Sequence, residues 1–469
     1  MTIVEPQVHT EAVIETETVI EAVIETESAT AAEVAIMDAA ETGVVPRPAP
    51  GVEFFGEFQG SGYAEPHYLV QRSDGQVVQL TLLLDLILRQ IDGTRDLAAI
   101  AQAVTVEFGR EVGADDVAYL VENRLQPVGL VAAEEDTTTT LPRTDLLLVL
   151  RGHRTLFGPR QVQFFARSLA WLHYPAIVVA VLGSVIAFDV WLFGRHGALA
   201  PVISVINRPL NILIVLGLGI ASAVFHEFGH ASACRYSGAR PGRIGCGIFL
   251  IWPSLYTDVT DVYRVERRGR LRTDLGGVYF NTIFILGLAG AYAGTHQPVL
   301  LAAILFVHFE ILDQLLPVLR FDGYFILADL AGVPDLFGRI RPLLSGLLPG
   351  RRHGRTNADL RRGARIAVTA WVALTVPLLA GESVWLVWNL PRLSRTLSDS
   401  IQAYSRDVHA SALNHQWAQL SLDATAIALL LIPAIGLSWL AVRLAGRAAH
   451  AGSAALPRLR PKRRGRHRR

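Results

Sequence analysis

Beyond residue 170 the chain carries six separate runs of roughly twenty apolar residues, at about 174–194, 209–233, 274–294, 298–319, 366–388 and 421–443. As helices, runs of that length cross a hydrocarbon core of ~30 Å. In lipid every backbone N–H and C=O must find a partner within the segment, which a helix achieves by itself. Composition agrees: 51% of the 469 residues are apolar and only 18% are charged, against about 25% charged in a soluble domain. The pattern excludes an ordinary soluble globular protein and predicts a mainly α, polytopic helical membrane protein of six spans over 174–445.

Arginine placement orients the spans. The connections 235–272 and 339–365 carry eight basic residues each and the stretch from 443 onward carries ten, whereas 195–208 has two, 295–297 none and 391–420 three. Basic connections alternate with poor ones, as expected if the basic ones face the cytoplasm, so both termini are expected there. Gly242–Thr260 is apolar but short and interrupted by Gly and Pro. A span there would break the charge alternation, so it is expected to form a membrane-associated hairpin or a re-entrant segment. Arginine almost replaces lysine, whose single copy is Lys462. We read this as the base composition of a high-GC bacterium, and the location as a bacterial cell membrane.

Residues 1–51 hold a repeated Glu-Ala-Val-Ile-Glu-Thr-Glu, at 11–17 and 21–27, and the first 46 residues have ten acidic and no basic side chains. Self-repulsion and the lack of large side chains predict a disordered acidic tail, and a cleaved export signal is not expected. Over 52–135 the pattern is that of a small folded α+β domain. Alternating runs at 68–72 and 76–80 flank Ser73-Asp-Gly75 as a hairpin; helical stretches follow at 81–90, 96–108 and 115–125; and Gly129-Leu-Val131 is placed to close the sheet. Strands plus three helices predict a winged-helix-like module. Ile91-Asp-Gly-Thr94 and the closing Leu125-x-x-x-Gly-Leu-Val131 resemble the PqqD-like domains, the peptide-recognition elements of ribosomally made natural-product pathways. The resemblance implies a peptide adding as a strand to the sheet edge; an ordinary cytosolic domain is the other reading of the same residues. A linker with an amphipathic approach at 136–173 then leads to the membrane domain. The basic tail at 446–469 is suited to anionic lipid, and without a folded basic domain it offers nothing for nucleic acid.

The second span contains His226-Glu227-Phe-Gly-His230. On a helix, imidazoles four residues apart share one face and can reach one zinc ion, with the glutamate beside the water to be activated. Zinc lowers the pKa of a bound water to roughly 7, and the glutamate can take its proton and return it to the leaving amine. Three ionisable side chains inside an apolar helix are expensive to keep and by default mark a site. The remaining ligand is expected at Asp322, in Leu319-Arg-Phe-Asp322-Gly-Tyr just past the fourth span. Spans two and four run in the same direction, so His230 and Asp322 emerge at the same leaflet.

His226-Glu-Phe-Gly-His230 together with Phe321-Asp322-Gly resembles the site-2 protease family of intramembrane zinc metallopeptidases, in its peptide zinc metalloprotease branch. That resemblance implies one Zn2+ per chain held by His226, His230 and Asp322, with Glu227 as general base. Gly277-Val-Tyr-Phe-Asn281 is similar to the family's Gly-x-x-x-Asn element and implies that Asn281 holds substrate backbone or helps stabilise the oxyanion; a polar helix contact is the alternative. Where many members carry an asparagine before the aspartate, this chain has Gln314 or Leu316 in that zone.

The expected function is therefore cleavage of a precursor peptide or membrane-associated peptide near the cytoplasmic leaflet, as leader removal from a ribosomally made, modified peptide. Regulated proteolysis of a signalling protein and a non-proteolytic zinc-containing transport or immunity protein are the competing readings. Of the other polar residues, His308, Glu310 and Asp313 are assigned to contacts within the bundle or to a supporting role at the site. Asp189 and Glu382 are expected to reach water, and Cys234 to be a small buried side chain.

Overall fold

A computed structural model describes residues 45–132, 151–197, 201, 205, 208–249, 252–346 and 359–455. The acidic stretch up to residue 44, part of the linker and the basic end from 456 lie outside the described residues, with the expectations placed on them. The chain is mainly helical. Six helices are long and apolar enough to cross a membrane: Pro175–His196, Leu210–Tyr236, Gly276–Thr295, Pro298–Leu315, part of Arg362–Leu413, and Trp417–Gly436. It is a multi-pass membrane protein. Two compact units are distinguished. One runs to Gly247 and resumes over Ser254–Trp388, and the other comprises Ile248–Pro253 and the chain from Asn389.

The first unit opens with a three-stranded antiparallel sheet of β1 (Glu53–Glu57), β2 (His67–Gln71) and β3 (Val77–Thr81), in that order. β1 is bulged between Phe54 and Gly56. Helices α1 (Leu82–Gln90), α2 (Leu97–Phe108) and α3 (Ala114–Leu120) follow, the last extended by a wider turn to Leu125. Local chemistry sets the ends of α2. The Asp96 carboxylate accepts from the Ala99 N–H at 2.8 Å, and Gly109 leaves the helix in the left-handed region. Val78, Leu80, Leu84, Ile87, Ile100, Val104, Val117 and Leu125 form the core of this module. Each such side chain contributes about 1.5–3 kcal/mol when fully buried.

The sequence announces β2, β3 and the three helices but not β1, which is neither strictly alternating nor flanked by a tight turn. Leu130–Ala132 does not close the sheet. It exchanges backbone hydrogen bonds with Arg47 and Ala49 instead.

The module is built into the membrane domain through residues 58–64. Arg270, fully buried in α7 (Arg267–Asp274), bonds Asp329 of α10 (Asp322–Ala331) at 2.7 Å and the Gln59 carbonyl at 3.0 Å. Its guanidinium lies 4.4 Å from the centre of the Phe58 ring. Backbone bonds Gly62 N–H to Gly332 O (2.9 Å) and Arg361 N–H to Gly62 O (2.8 Å) continue the seam. Tyr63, wholly buried, lies under Arg339, which pairs with Asp359 at 2.9 Å. The Arg270 bond to the Gln59 carbonyl and the Gly62 backbone bonds hold the module to the membrane domain beyond its covalent linker.

Past the undescribed linker, β4 (Arg151–Phe157) leads into the amphipathic α4 (Pro159–Leu169), the first membrane helix α5 (Pro175–Trp191) and then α6 (Pro209–Tyr236). The hairpin expected between Gly242 and Thr260 is present as β5 (Ile244–Phe249) and β6 (Trp252–Thr257), with β4 as an added strand in the order β4-β5-β6. Helices α8 (Gly276–Thr295) and α9 (Pro298–Leu315) pack on α6. A short α11 (Ile340–Gly346) follows α10, and the long α12 (Arg362–Leu413) and α13 (Trp417–Ala455) complete the described chain.

The fourth apolar helix stops at Leu315 and not at 319, because Pro317 cannot continue it. The fifth is longer than expected. Leu390, Leu393, Leu397, Ile401, Tyr404 and Val408 recur at helical spacing, and the helix continues through the stretch expected as a connection.

Candidate metal centre

Close packing of α6 against α8 brings the site together. Gly229 of α6 and Gly276 of α8 stand back to back: a Cβ on either would strike the other's backbone carbonyl. Small residues of this kind let helix backbones approach closely in lipid. One residue further along α8, a Cβ at Gly277 would run into Nε2 of both His226 and His230. The glycines of Gly277-Val-Tyr-Phe-Asn281 and of the helix motif thus leave the space in which the imidazoles sit.

His226, His230 and Asp322 are each 1% exposed. His226 Nε2 lies 3.0 Å and His230 Nε2 3.4 Å from Asp322 Oδ2, and the two ring nitrogens are 2.9 Å apart. Asp322 is the first residue of α10. The segment before it is extended at Phe321 and anchored where the Trp371 indole N–H donates to the Pro317 carbonyl at 2.5 Å. Tyr324, two residues on, fixes the helix from behind. Its oxygen accepts the Leu336 N–H at 3.0 Å, and its ring stacks on Phe337. Burial pushes the Tyr324 phenol up, so it stays neutral in that role.

The opposite edge of each imidazole faces an oxygen. His226 Nδ1 is 2.5 Å from Asn281 Oδ1, and His230 Nδ1 is 2.8 Å from the Thr273 carbonyl. Both acceptors require Nδ1–H, which fixes the tautomer and leaves both Nε2 lone pairs facing Asp322. No donor among the described residues reaches the Asp322 carboxylate, whose nearest neighbours are those two Nε2 atoms. Three Lewis-basic atoms thus converge in a buried space where only a cation relieves their repulsion.

Two imidazoles and a carboxylate suit zinc. Ligands 2.0–2.1 Å from a tetrahedral zinc stand ~3.3 Å from one another, close to the three separations found. The residues present therefore fit the metal that the sequence motif implies.

Glu227, 1% exposed, receives a 2.6 Å hydrogen bond from Thr257 Oγ1 at the end of β6. The same hydroxyl lies 3.0 Å from the Glu227 carbonyl. Thr257 carries no sequence signal, because its relation to Glu227 exists only once the hairpin folds against α6. Asn281 is engaged at both ends, by His226 and by Ser222 Oγ at 3.2 Å, so holding substrate would require it to release one of them. Gln314 is 5% exposed, and its Oε1 has no partner among the described residues. Asp189 does not simply reach water: it pairs with His308 at 3.2 Å. Asp313 and Glu382 are exposed, and Cys234 is fully buried.

Fold and site together define a multi-pass helical membrane protein with a buried cluster of two histidines and one aspartate suited to a metal ion. Over 118 residues the chain is 27% identical to "Putative peptide zinc metalloprotease protein YydH" of Bacillus subtilis (strain 168). The aligned stretch takes in 24% of this chain and 46% of that protein, so the chain spans about half the length of the relative it matches. No family model matches the chain, and no solved structure does.

Proposed function

We propose that the protein is an intramembrane zinc metallopeptidase of the His-Glu-x-x-His type, in which His226, His230 and Asp322 hold one zinc ion and Glu227 is the general base. The observation that carries this reading is the convergence of three buried Lewis-basic atoms, two on the membrane helix α6 and one at the start of α10, with no proton donor to separate them. The similarity to a protein named as a peptide zinc metalloprotease supports it.

Zinc held there supplies a Lewis acid for a peptide carbonyl and makes a water acidic near neutral pH. Glu227 accepts the proton of the attacking water and returns it to the leaving amine. Thr257 keeps one carboxylate oxygen fixed, which leaves the other to face the reacting water. Asn281 and the Thr273 carbonyl hold the two rings in the tautomer that ligation needs.

An amide inside a helix is bonded within its own ladder, so the substrate enters extended. In the sheet order β4-β5-β6 the β5 edge is covered by β4, and Ser254–Thr257 of β6 forms the outer edge that ends at Glu227. We assign the incoming peptide to that edge, with main-chain hydrogen bonds supplying affinity. The substrate is a ribosomally made precursor peptide, recognised through its leader by the PqqD-like module at 52–135 and cut near the cytoplasmic leaflet of a bacterial cell membrane. Both termini lie in the cytoplasm, and the basic tail rests on anionic lipid.

Glu227→Gln tests the mechanism. Purified variant protein is expected to keep its zinc and lose peptide cleavage; cleavage that persists overturns the proposal. Cleavage of a precursor lacking its leader at the rate of the intact precursor would count against the substrate assignment alone.

A further inference from the structure

The short helix α7 touches two parts of the candidate metal centre. Thr273, in its last turn, presents its carbonyl to His230 Nδ1 at 2.8 Å. Arg270, one turn earlier, donates through Nε to Asp329 Oδ1 at 2.7 Å. Asp329 lies about 10 Å along α10 from Asp322, the first residue of that helix. Arg267, a further turn back on α7, donates to the carbonyls of Asp329 at 2.8 Å and Leu330 at 2.7 Å, at the end of α10. α7 therefore grips the far end of the helix that carries Asp322 while it backs the ring of His230.

The N-terminal module completes this clamp. Arg270 Nη2 donates to the Gln59 carbonyl at 3.0 Å, and the guanidinium lies over the Phe58 ring. Gly62 N–H donates to the carbonyl of Gly332, the residue that ends α10, at 2.9 Å. The seam has no room for a side chain at either glycine: a Cβ on Gly62 would strike the Ala331 carbonyl, and one on Gly332 would strike the Gly62 nitrogen. The segment continues directly from β1, and the Phe58 N–H donates to the His67 carbonyl of β2 at 2.8 Å. What meets α10 is thus an extension of the module's sheet.

Arg270 is fully buried, and each of its three guanidinium nitrogens has an acceptor: Asp329 Oδ1, the Gln59 carbonyl and, at 3.2 Å, the Val265 carbonyl before α7. The donors of a guanidinium form a rigid planar fork, so satisfying all three fixes the directions between the segments that supply the acceptors. Burial raises the Asp329 pKa, and Oδ1 accepts from Arg270 whether or not the other oxygen carries a proton.

We propose that Arg270 is a positioning residue of the metal centre: it holds the Thr273 carbonyl behind His230 and the helix that begins at Asp322 in register, with the backbone of the N-terminal module as the third side of the clamp. The group behind a ligating histidine orients the ring, and a helix of ten residues carries a shift at Asp329 to Asp322. Seating of the module therefore sets the geometry of two ligands that it does not touch. The inference rests on the zinc reading of His226, His230 and Asp322.

The test uses full-length protein in detergent and compares wild type with Arg270→Met, Arg270→Lys, Gly62→Ala and, as a control, Ile100→Val. Ile100 belongs to the module's main core, a different cluster from that of Phe58. Zinc affinity is measured by chelator competition, ligand geometry by the absorption of the cobalt-substituted protein, and stability by thermal melting of the metal-free protein. Zinc binding in Arg270→Met is expected to weaken roughly 10- to 100-fold, with a changed cobalt spectrum. Arg270→Lys keeps the charge but not the fork and is expected to fall between methionine and wild type. Gly62→Ala, which pushes the module from the end of α10, should weaken zinc and change the spectrum although it alters no group at the site. Because both substitutions open one clamp, the loss in Gly62→Ala combined with Arg270→Met should be smaller than the product of the two single losses. Ile100→Val should melt lower yet keep wild-type zinc affinity and spectrum.

Wild-type zinc affinity and cobalt spectrum in Arg270→Met would overturn the proposal. So would a wild-type spectrum in Gly62→Ala, or losses in Ile100→Val equal to those of the seam variants, since these would reduce the effect to stability. Should Arg270→Met fail to fold, wild-type affinity and spectrum in Arg270→Lys and Gly62→Ala together overturn it equally. A wild-type protein that takes up no zinc would overturn the metal-centre reading, and this proposal with it.

Discussion

Thr257 Oγ1 stands 2.6 Å from Glu227 Oε2, so the last residue of an edge strand grips the carboxylate of the membrane helix beside it. The strand proposed to receive the substrate and the residue proposed to activate water are therefore one mechanical unit.

Removing that hydroxyl without changing shape isolates its contribution. Thr257→Val leaves a buried carboxylate oxygen without its donor, a loss of about 1–3 kcal/mol. Turnover is expected to fall roughly tenfold or more while zinc content is unchanged, and Thr257→Ser should restore most of it. Single-turnover cleavage alongside metal analysis reads both quantities, and a valine variant with full turnover would deny Thr257 this role.

Gly277 is expected to tolerate no side chain. In Gly277→Ala the new methyl group meets Nε2 of both histidines, and the helices must part to admit it. Overpacking of this kind costs about 1–3 kcal/mol, which corresponds to zinc binding weakened roughly 5- to 150-fold. Helical content by circular dichroism should stay at the wild-type level. Alanine at this position with wild-type zinc affinity would show that the ligand space is not as confined as the backbone indicates.

His67 gives the N-terminal module a pH response. It is 4% exposed, its Nδ1 faces the Glu65 carbonyl at 3.0 Å, its Nε2 has no partner among the described residues, and its ring lies 4.1 Å from that of Tyr63. Burial pulls its pKa below the ordinary histidine value. The folded protein thus resists a proton that the unfolded chain accepts near pH 6.5. The stability due to neutral His67 is complete above that pH and is lost as pH falls below it, at up to ~1.4 kcal/mol per pH unit, until the folded-state pKa is reached. The thermal midpoint measured from neutral pH downward should drop across that window, and His67→Gln should flatten the drop. An unaltered slope in the variant would assign the response elsewhere.

Much of the architecture is legible in the sequence because its signals are local. Six apolar runs fix the membrane class, since a helix of that length satisfies its own backbone in lipid. Asp96 and Gly109 bound α2 by chemistry within one turn of each other's helix ends. The amphipathic repeat from Leu390 to Val408 was equally local, yet its charged and hydroxyl residues read as a connection, because hydropathy averages conceal helical spacing when half the positions are polar.

What the sequence by itself determined is the inventory of the site: His226 and His230 on one helical face with Glu227 between them, and Asp322 in a turn just past the fourth apolar run. Spacing within a helix is a property of its 3.6-residue turn and needs no partner. Tertiary structure alone decided which groups surround that inventory. Thr257 reaches Glu227, Asn281 turns to His226, and Arg270 joins the N-terminal module to Asp329 only when distant segments pack. Such contacts join residues 30 to 211 positions apart in the sequence, and nothing in the local chemistry of a threonine, an asparagine or an arginine specifies which distant atom it will meet.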